Sequence, residues 1–447
     1  MNSDIDTRRI IFVFRQLGPE ALRSAQALHR LKNVCLFGIG ESASEVARDT
    51  FSHFTLVDDV HNPNNLVEAA LRFGEKHEPF EQLVTAHETL LEPVASANAA
   101  LGLKGMDIFT VRRVLDKSLL KATLEKASLK TPRSTVLINS KDAQEFGTTV
   151  GFPIVLKPMN GSGGLATLCI RDPKQLALAV ELMQPTHDEA VLAEEYITGE
   201  EVCIDTITIN HEPQIYSICH YRPSILEAVE NPQIQWRCIM PRDLSDDRSK
   251  NLIKDGLKAV RALRVGNALT HMEAFRFADG THTFTDATLR PAGARIGPML
   301  GCAYDLDIHL TWAKVAVNGF FDGPYERKYA VGTIFLRGHG YGTVQDVTGI
   351  ETVTRDLSQL ITAKRWPQVG ANKSATYTGD GYVTVRHRDV STVEAALDFI
   401  SKTVAIDYSE IGPPSSETVR EQWGTRLQYL EKQLNAPVWE SDGSAKP

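Results

Sequence analysis

Residues 268–293 run ALTHMEAFRFADGTHTFTDATLRPAG. Two apolar runs, Ala268 to Phe277 and Thr281 to Ala287, sit either side of Asp279-Gly280, a pair suited to a tight turn. The pattern predicts two neighbouring antiparallel strands. Each carries one carboxylate, Glu273 on the first and Asp286 on the second. Carboxylates facing each other on paired strands repel unless a cation lies between them, so the hairpin predicts a site for a hard divalent ion.

Outward from this hairpin the chain reads as α/β and α+β, in several domains. Upstream, Glu201 to Ile209 and Gln214 to His220 extend the same antiparallel sheet, and a helix over Ser249 to Leu263 covers one face. Val191 to Tyr196 is a strand that returns from a small lobe at about 132–193. That lobe contains strands at Ser134 to Ile138, Phe152 to Pro158 and Leu168 to Ile170, with helices over Lys141 to Thr148 and Pro173 to Met183. Asp107 to Ala127 reads as one helix that stops before Thr131-Pro132. The first 106 residues alternate apolar strands (Ile10 to Phe14, Val34 to Phe37, Phe54 to Val57, Gln82 to Ala86) with helices, as in a parallel layered unit. Gly38-Ile39-Gly40 is expected as a strand-to-helix turn; no acidic ribose partner follows it to make a dinucleotide loop.

Downstream, a helix over Asp305 to Val317 leads to short strands between Ala330 and Arg386 and a helix over Thr392 to Val404. In the final segment Val419, Trp423, Leu427, Leu430 and Leu434 share a helix face. Docking on the chain's own core is the preferred use of that face, and a homodimer contact is the alternative. The expected divisions are 1–106, 107–320, 321–410 and a terminal helix and tail at 411–447.

The net charge of −8 is spread along 447 residues without a basic stripe, which argues against nucleic acid as a partner. Six cysteines occur singly, as expected for reduced thiols in a cytoplasmic protein. The run Ile10 to Phe14 is too short for a membrane span, so no membrane partner is expected. None of the 13 histidines has a second ligand at metal-binding spacing, which leaves carboxylates to hold any ion.

A nucleoside triphosphate needs cations or backbone amides at its phosphates, a hinge for its base, an acceptor for ribose hydroxyls and carboxylates for magnesium. The chain offers these in order. Lys117 and Lys157 come from different elements. The loop Asn160-Gly161-Ser162-Gly163-Gly164 lacks the G-K-[ST] ending of a Walker A motif; it is either a flap whose amides fold over phosphates or an ordinary hairpin. Glu194-Glu195-Tyr196-Ile197 follows a strand as a hinge, with Glu201 beyond the Gly199 turn.

The ordered set resembles the ATP-grasp superfamily from about Asp107 to Leu310. Residues 1–106 are similar to its pre-grasp domain, and Ala330 to Val404 to the last part of its L-amino-acid ligase and biotin carboxylase branches. Arg290-Pro291-Ala292-Gly293 resembles the R-P-x-G turn of carboxylate-amine ligases. The resemblance implies a two-lobe clasp on ATP. Lys117 and Lys157 would meet phosphates, with Gly161, Ser162, Gly163 and Gly164 as the flap; Glu194, Glu195, Tyr196 and Ile197 would meet adenine, and Glu201 ribose. Glu273, Asp286 and Thr288 would hold Mg2+, with Mn2+ as a substitute, and Arg290 would face the transferred phosphoryl group. Asp286-Ala287-Thr288 departs from the family's Glu-x-Asn: a shorter carboxylate and a hydroxyl replace a longer carboxylate and an amide. Arg295 is expected either at a substrate carboxylate or in a structural ion pair, and Trp236, Arg237 and His220 either at the acceptor pocket or in packing.

The activity implied is a carboxylate-amine ligation. A small carboxylate, of amino-acid type, becomes an acyl phosphate and is attacked by an amine to give an amide, ADP and phosphate. The alternatives are a bicarbonate-activating ligase like biotin carboxylase, or a module that binds ATP without turnover. The Ala292-Gly293-Ala294 run, where the carboxylases carry charge, favours amide formation.

Overall fold

The computed structural model describes residues 7–42, 45–77, 79–159, 167–187, 189–374, 376–410 and Trp423. The N-terminal unit contains β1 (Arg8–Val13), α1 (Pro19–His29), β2 (Val34–Gly40), α2 (Glu45–Thr50), β3 (His53–Leu56), α3 (Pro63–Gly74), β4 (Gln82–Val84) and α4 (Leu91–Leu101). Its strands form a parallel sheet in the order β3-β2-β1-β4. β1 is apolar on both faces because both are covered: Ile10 and Phe12 enter one core, and Ile11 and Val13 another. Gly38 and Gly40 lie inside β2 and not in a turn. A Cβ at Gly38 would sit 2.7 Å from the Phe51 ring, and one at Gly40 2.7 Å from the Phe14 ring, so the glycines make room for stacked aromatics.

Residues 107–127, expected as one helix, form α5 (Ile108–Leu115) and α6 (Lys117–Lys126). Asp116 makes the break: its extended backbone lets the carboxylate accept the amides of Ser118 (2.8 Å) and Leu119 (2.9 Å). Aspartate satisfies helix-start donors better from outside a helix than from within it. The break places Lys117 in the first turn of α6.

The small lobe consists of β5 (Ser134–Leu137), α7 (Ser140–Val150), β6 (Ile154–Pro158), β7 (Leu168–Ile170), α8 (Pro173–Met183) and β8 (Val191–Glu195). Its antiparallel sheet, β5-β8-β6-β7, has its own apolar core, to which Trp423 adds its ring. The remainder of the terminal helix expected at 411–447 lies outside the described residues.

The larger body follows, with β9 (Glu200–Ile209), β10 (Glu212–Arg222), α9 (Ile225–Glu230), β11 (Trp236–Met240), α10 (Asp247–Ala262), β12 (Ala268–Arg276) and β13 (His282–Thr288). Next come α11 (Ile296–Tyr304), α12 (Ile308–Ala313), β14 (Ala330–Leu336), β15 (Tyr341–Thr348), α13 (Ile350–Asp356), β16 (Ile361–Arg365), β17 (Gly381–His387), α14 (Val390–Thr403) and β18 (Ala405–Glu410). β15 pairs with β18, and the other strands form one antiparallel sheet, β13-β12-β9-β10-β11-β14-β17-β16. Because β14 continues this sheet, the expected division at residue 320 separates no layer. Alternation along β9, β12 and β13 sends Val202, Ile204, Met272, Ala274 and Ala287 into the core that also holds α5, α6 and α10 residues. Glu201, Cys203, Asp205, His271, Glu273 and Asp286 therefore share the other face. No helix among the described residues is long and apolar enough to cross a membrane.

Candidate active site

The hairpin of β12 and β13 builds the floor of the site. Its turn is held by Asp279, which accepts the Thr281 amide at 2.9 Å, and by Gly280 at φ 82°, where a left-handed backbone favours glycine. The register from this turn runs to Ala274 opposite Phe284; a bulge then adds one residue to β13, and that extra residue sets Glu273 opposite Asp286 and His271 opposite Thr288. The two carboxylates are partly exposed into a cavity of about 270 Å³ between the small lobe, the central sheet and the loop after β4. Thr288 Oγ1 is buried and has no hydrogen-bond partner among the described residues. Two facing carboxylates and an orphaned hydroxyl suit a hard cation, so the chemistry of the donor set fits magnesium.

Lysines reach the site from two elements, α6 and β6. Lys117 of α6 donates to Asp286 at 2.9 Å. Burial opposes charge on both partners, yet their attraction wins: Asp286 is held below the ordinary carboxylate range and Lys117 above the ordinary amine range. In the small lobe Lys157 ends β6 and lies 2.6 Å from Glu194 on β8. Lys121 of α6 bonds the other oxygen of the same carboxylate. Burial alone would raise the Glu194 pKa, but two ammonium groups pull it down; Lys121 itself is lowered, by burial first and by Lys157 as well. The carboxylate expected at adenine is thus spanned by two lysines. Glu195 takes Arg133 at 2.6 Å, and Tyr196 and Ile197 line the cavity beside it.

Glu201 is buried at the cavity wall and accepts the Ile225 amide at 2.6 Å. Burial, and then Glu273 on the adjoining strand, push its pKa up to about 8. Arg290 lines the cavity and is ion-paired with Glu88, whose loop follows β4, tying the N-terminal unit to the site. Arg295 does not line the cavity. Its backbone at φ 64° turns the guanidinium away, 4.5 Å over the Tyr382 ring. Of the acceptor-pocket candidates, Trp236 lines the cavity, whereas His220 bonds Glu200 at 2.7 Å and Arg237 pairs with Asp398. Gly161, Ser162, Gly163 and Gly164 lie outside the described residues.

Residues 114–228, which carry Lys117, Lys157, Glu194 and Glu201, match the ATP-grasp domain family. Over this segment the chain is similar to the ATP-grasp domain family. It is 21% identical over 246 residues to an alanine–anticapsin ligase of Bacillus subtilis, covering 51% of this chain and 52% of that protein. It is also 22% identical over 276 residues to an L-arginine-specific L-amino acid ligase of Bacillus subtilis, covering 59% and 64%. The chain thus spans between about half and two thirds of the length of these curated relatives. Its fold is similar to the crystal structure of an L-amino acid ligase from Bacillus licheniformis, with a TM-score of 0.73 at 19% identity, covering 91% of this chain and all of that one.

Two residues of the candidate site were not singled out in the sequence. Lys121 stands four residues after Lys117, one turn along the same helix face, and that spacing was the available signal. Glu88 left no such mark, because it meets Arg290 only through the packing of the N-terminal unit against the central sheet.

Proposed function

We propose that the chain is an ATP-dependent ligase that activates a small carboxylate, of amino-acid type, and joins it to an amine. The observation that carries this reading is the facing pair Glu273 and Asp286, with Lys117 on one of them and Arg290 in the same cavity. Glu273, Asp286 and Thr288 would hold a magnesium ion, which supplies charge neutralisation at phosphate oxygens. Lys117 and Lys157 approach the phosphates, the backbone from Glu195 to Ile197 meets the base, and Glu201 meets the ribose. With both oxygens of Glu194 engaged, its task is to hold Lys121 and Lys157 in place.

The substrate carboxylate attacks the terminal phosphorus and ADP departs, giving an acyl phosphate; the amine then attacks the acyl carbon and phosphate leaves. Arg290 is the cation available to the charge that moves between these steps, and Glu88 orients it. The amino-acid ligases similar to this chain support an amino acid as the carboxylate.

The test is phosphate release from Mg-ATP with pairs of common amino acids, and detection of the amide by mass spectrometry. Release with at least one pair, exceeding that with either member alone, is expected. ATP binding with no release from any pair would replace this reading with a binding module, and release with bicarbonate alone would replace it with a carboxylase.

A further inference from the structure

One buried polar chain on the site-facing side of the central sheet takes no part in the functions above. Asp205 on β9 and His271 on β12 are direct cross-strand partners. His271 Nδ1 lies 2.9 Å from Asp205 Oδ1, and the other ring nitrogen, Nε2, lies 3.6 Å from Glu273 Oε1. The thiol of Cys203 donates to Asp205 Oδ2 at 3.3 Å, so both oxygens of this carboxylate are occupied. Side-chain exposure is only 5% for Asp205 and 12% for His271.

Burying an aspartate and an imidazole in a sheet costs free energy unless they are paired, and apolar side chains would have filled the same space at no such cost. Pairing explains how the two survive there. It does not explain why the ring is turned with its free nitrogen toward Glu273.

We propose that Asp205 and His271 position the carboxylate of Glu273 for the divalent ion, Asp205 fixing the ring and the ring fixing one oxygen of Glu273. This rests on the reading of Glu273 as an ion ligand. With Nδ1 held by Asp205 across the paired strands, the ring has one orientation, and its other nitrogen is the side-chain group set beside Glu273 Oε1. Groups that hold a metal ligand in this way, without touching the ion, typically alter metal affinity by about 10 to 100-fold when removed. The three groups Cys203, Asp205 and His271 are close enough to hold an ion themselves, but their donor atoms already bond one another.

The experiment is Mn2+ binding in the presence of ADP, followed by the loss of the free-ion EPR signal, for the intact chain and for His271→Gln, Asp205→Asn and Glu273→Ala. The dissociation constant for Mn2+ should rise about 10 to 100-fold in both His271→Gln and Asp205→Asn. The double variant should be no worse than either single one, because the two residues act as one unit. Far-UV circular dichroism should be unchanged, and Asp205→Asn, which keeps the shape of the side chain, serves if His271→Gln does not fold. Unchanged Mn2+ affinity in a folded variant, while Glu273→Ala loses it, overturns the positioning role alone. Absence of Mn2+ and ADP binding by the unaltered chain would instead overturn the reading of the site on which the proposal rests.

Discussion

Replacing Glu201 by glutamine should stabilise the ligand-free protein at high pH and leave it nearly unchanged at low pH. Glu201 is buried, with one backbone amide as hydrogen-bond donor and Glu273 on the same face of the adjoining strand. Its pKa is pushed from the ordinary 4.5 up to about 8, which says that the folded state disfavours its ionised form. Stability from this group is therefore fully present below about pH 4.5, falls as pH rises, and is lost once pH passes about 8. At about 1.4 kcal/mol per pH unit the whole effect approaches 5 kcal/mol, and relaxation around the charge brings the expected value to about 2–5 kcal/mol. The glutamine keeps the acceptor for Ile225 but never ionises. Urea unfolding of both proteins in EDTA at pH 5, 7 and 9 measures the difference, since titrating groups that do not interact with Glu201 cancel in the comparison. The two stabilities should nearly coincide at pH 5 and separate toward pH 9, with the variant the more stable. Parallel curves across this range would refute the argument that Glu201 carries a buried, destabilising charge.

Three further outcomes follow from the same geometry. Glu200, held by His220 at 2.7 Å and Arg276 at 2.6 Å, has its pKa pulled down to about 2, chiefly by the His220 hydrogen bond. Its contribution is present above about pH 4.5 and lost as pH falls toward 2; with its partial exposure discounted, Glu200→Gln should cost about 1–2 kcal/mol at pH 7 in urea unfolding, with the gap closing in acid. Lys121→Met should destabilise by about 2 kcal/mol, less than the roughly 3–5 kcal/mol for a buried ion stripped of its only partner, because Lys157 still holds Glu194; an unchanged urea midpoint would count against the buried triad. Gly332→Ala would place a Cβ 2.6 Å from Val393 Cγ1 and 2.8 Å from Leu397 Cδ1, where α14 lies on β14, and should cost about 1–3 kcal/mol in thermal unfolding.

Much of the secondary structure was readable because local signals were strong. Leu168–Ile170 and Pro173–Met183 form elements with the bounds expected from periodicity and proline placement. The hairpin that carries Glu273 and Asp286 was readable from its Asp279-Gly280 turn, but their direct facing depends on a bulge beside Glu273 that no local pattern announced. Elements without a local signature were missed. Helix α11 starts at Arg295, in a left-handed conformation with no side-chain cap, and its sequence IGPMLGCAY has glycine and proline in an almost unbroken apolar run. Strand β18 pairs with β15 some sixty residues earlier, a partner no local pattern announces. The site divides in the same way. Lys121 is 73 residues from Glu194, and Glu88 is 202 from Arg290, so their pairing is decided by packing between units.

Those long-range pairs also show how the cavity carries so many charges with few left facing water. Lys117 is matched to Asp286, Lys121 and Lys157 to Glu194, and Arg290 to Glu88. Lys117, Lys157, Asp286 and Arg290, which would meet a phosphate or an ion, are each already the counterion of another group of the site. A bare anion drawing Lys117 or Arg290 away would leave Asp286 or Glu88 unpaired in a partly buried setting, a loss of several kcal/mol by the usual cost of breaking such pairs. A bare cation at Glu273 and Asp286 would likewise displace Lys117 with no phosphate to receive it. A ligand bringing both charges at once repairs each pair as it breaks it. On the proposed reading, the self-pairing of the cleft's charges therefore favours the metal–triphosphate complex over either component, and it does so before any contact with the base is made.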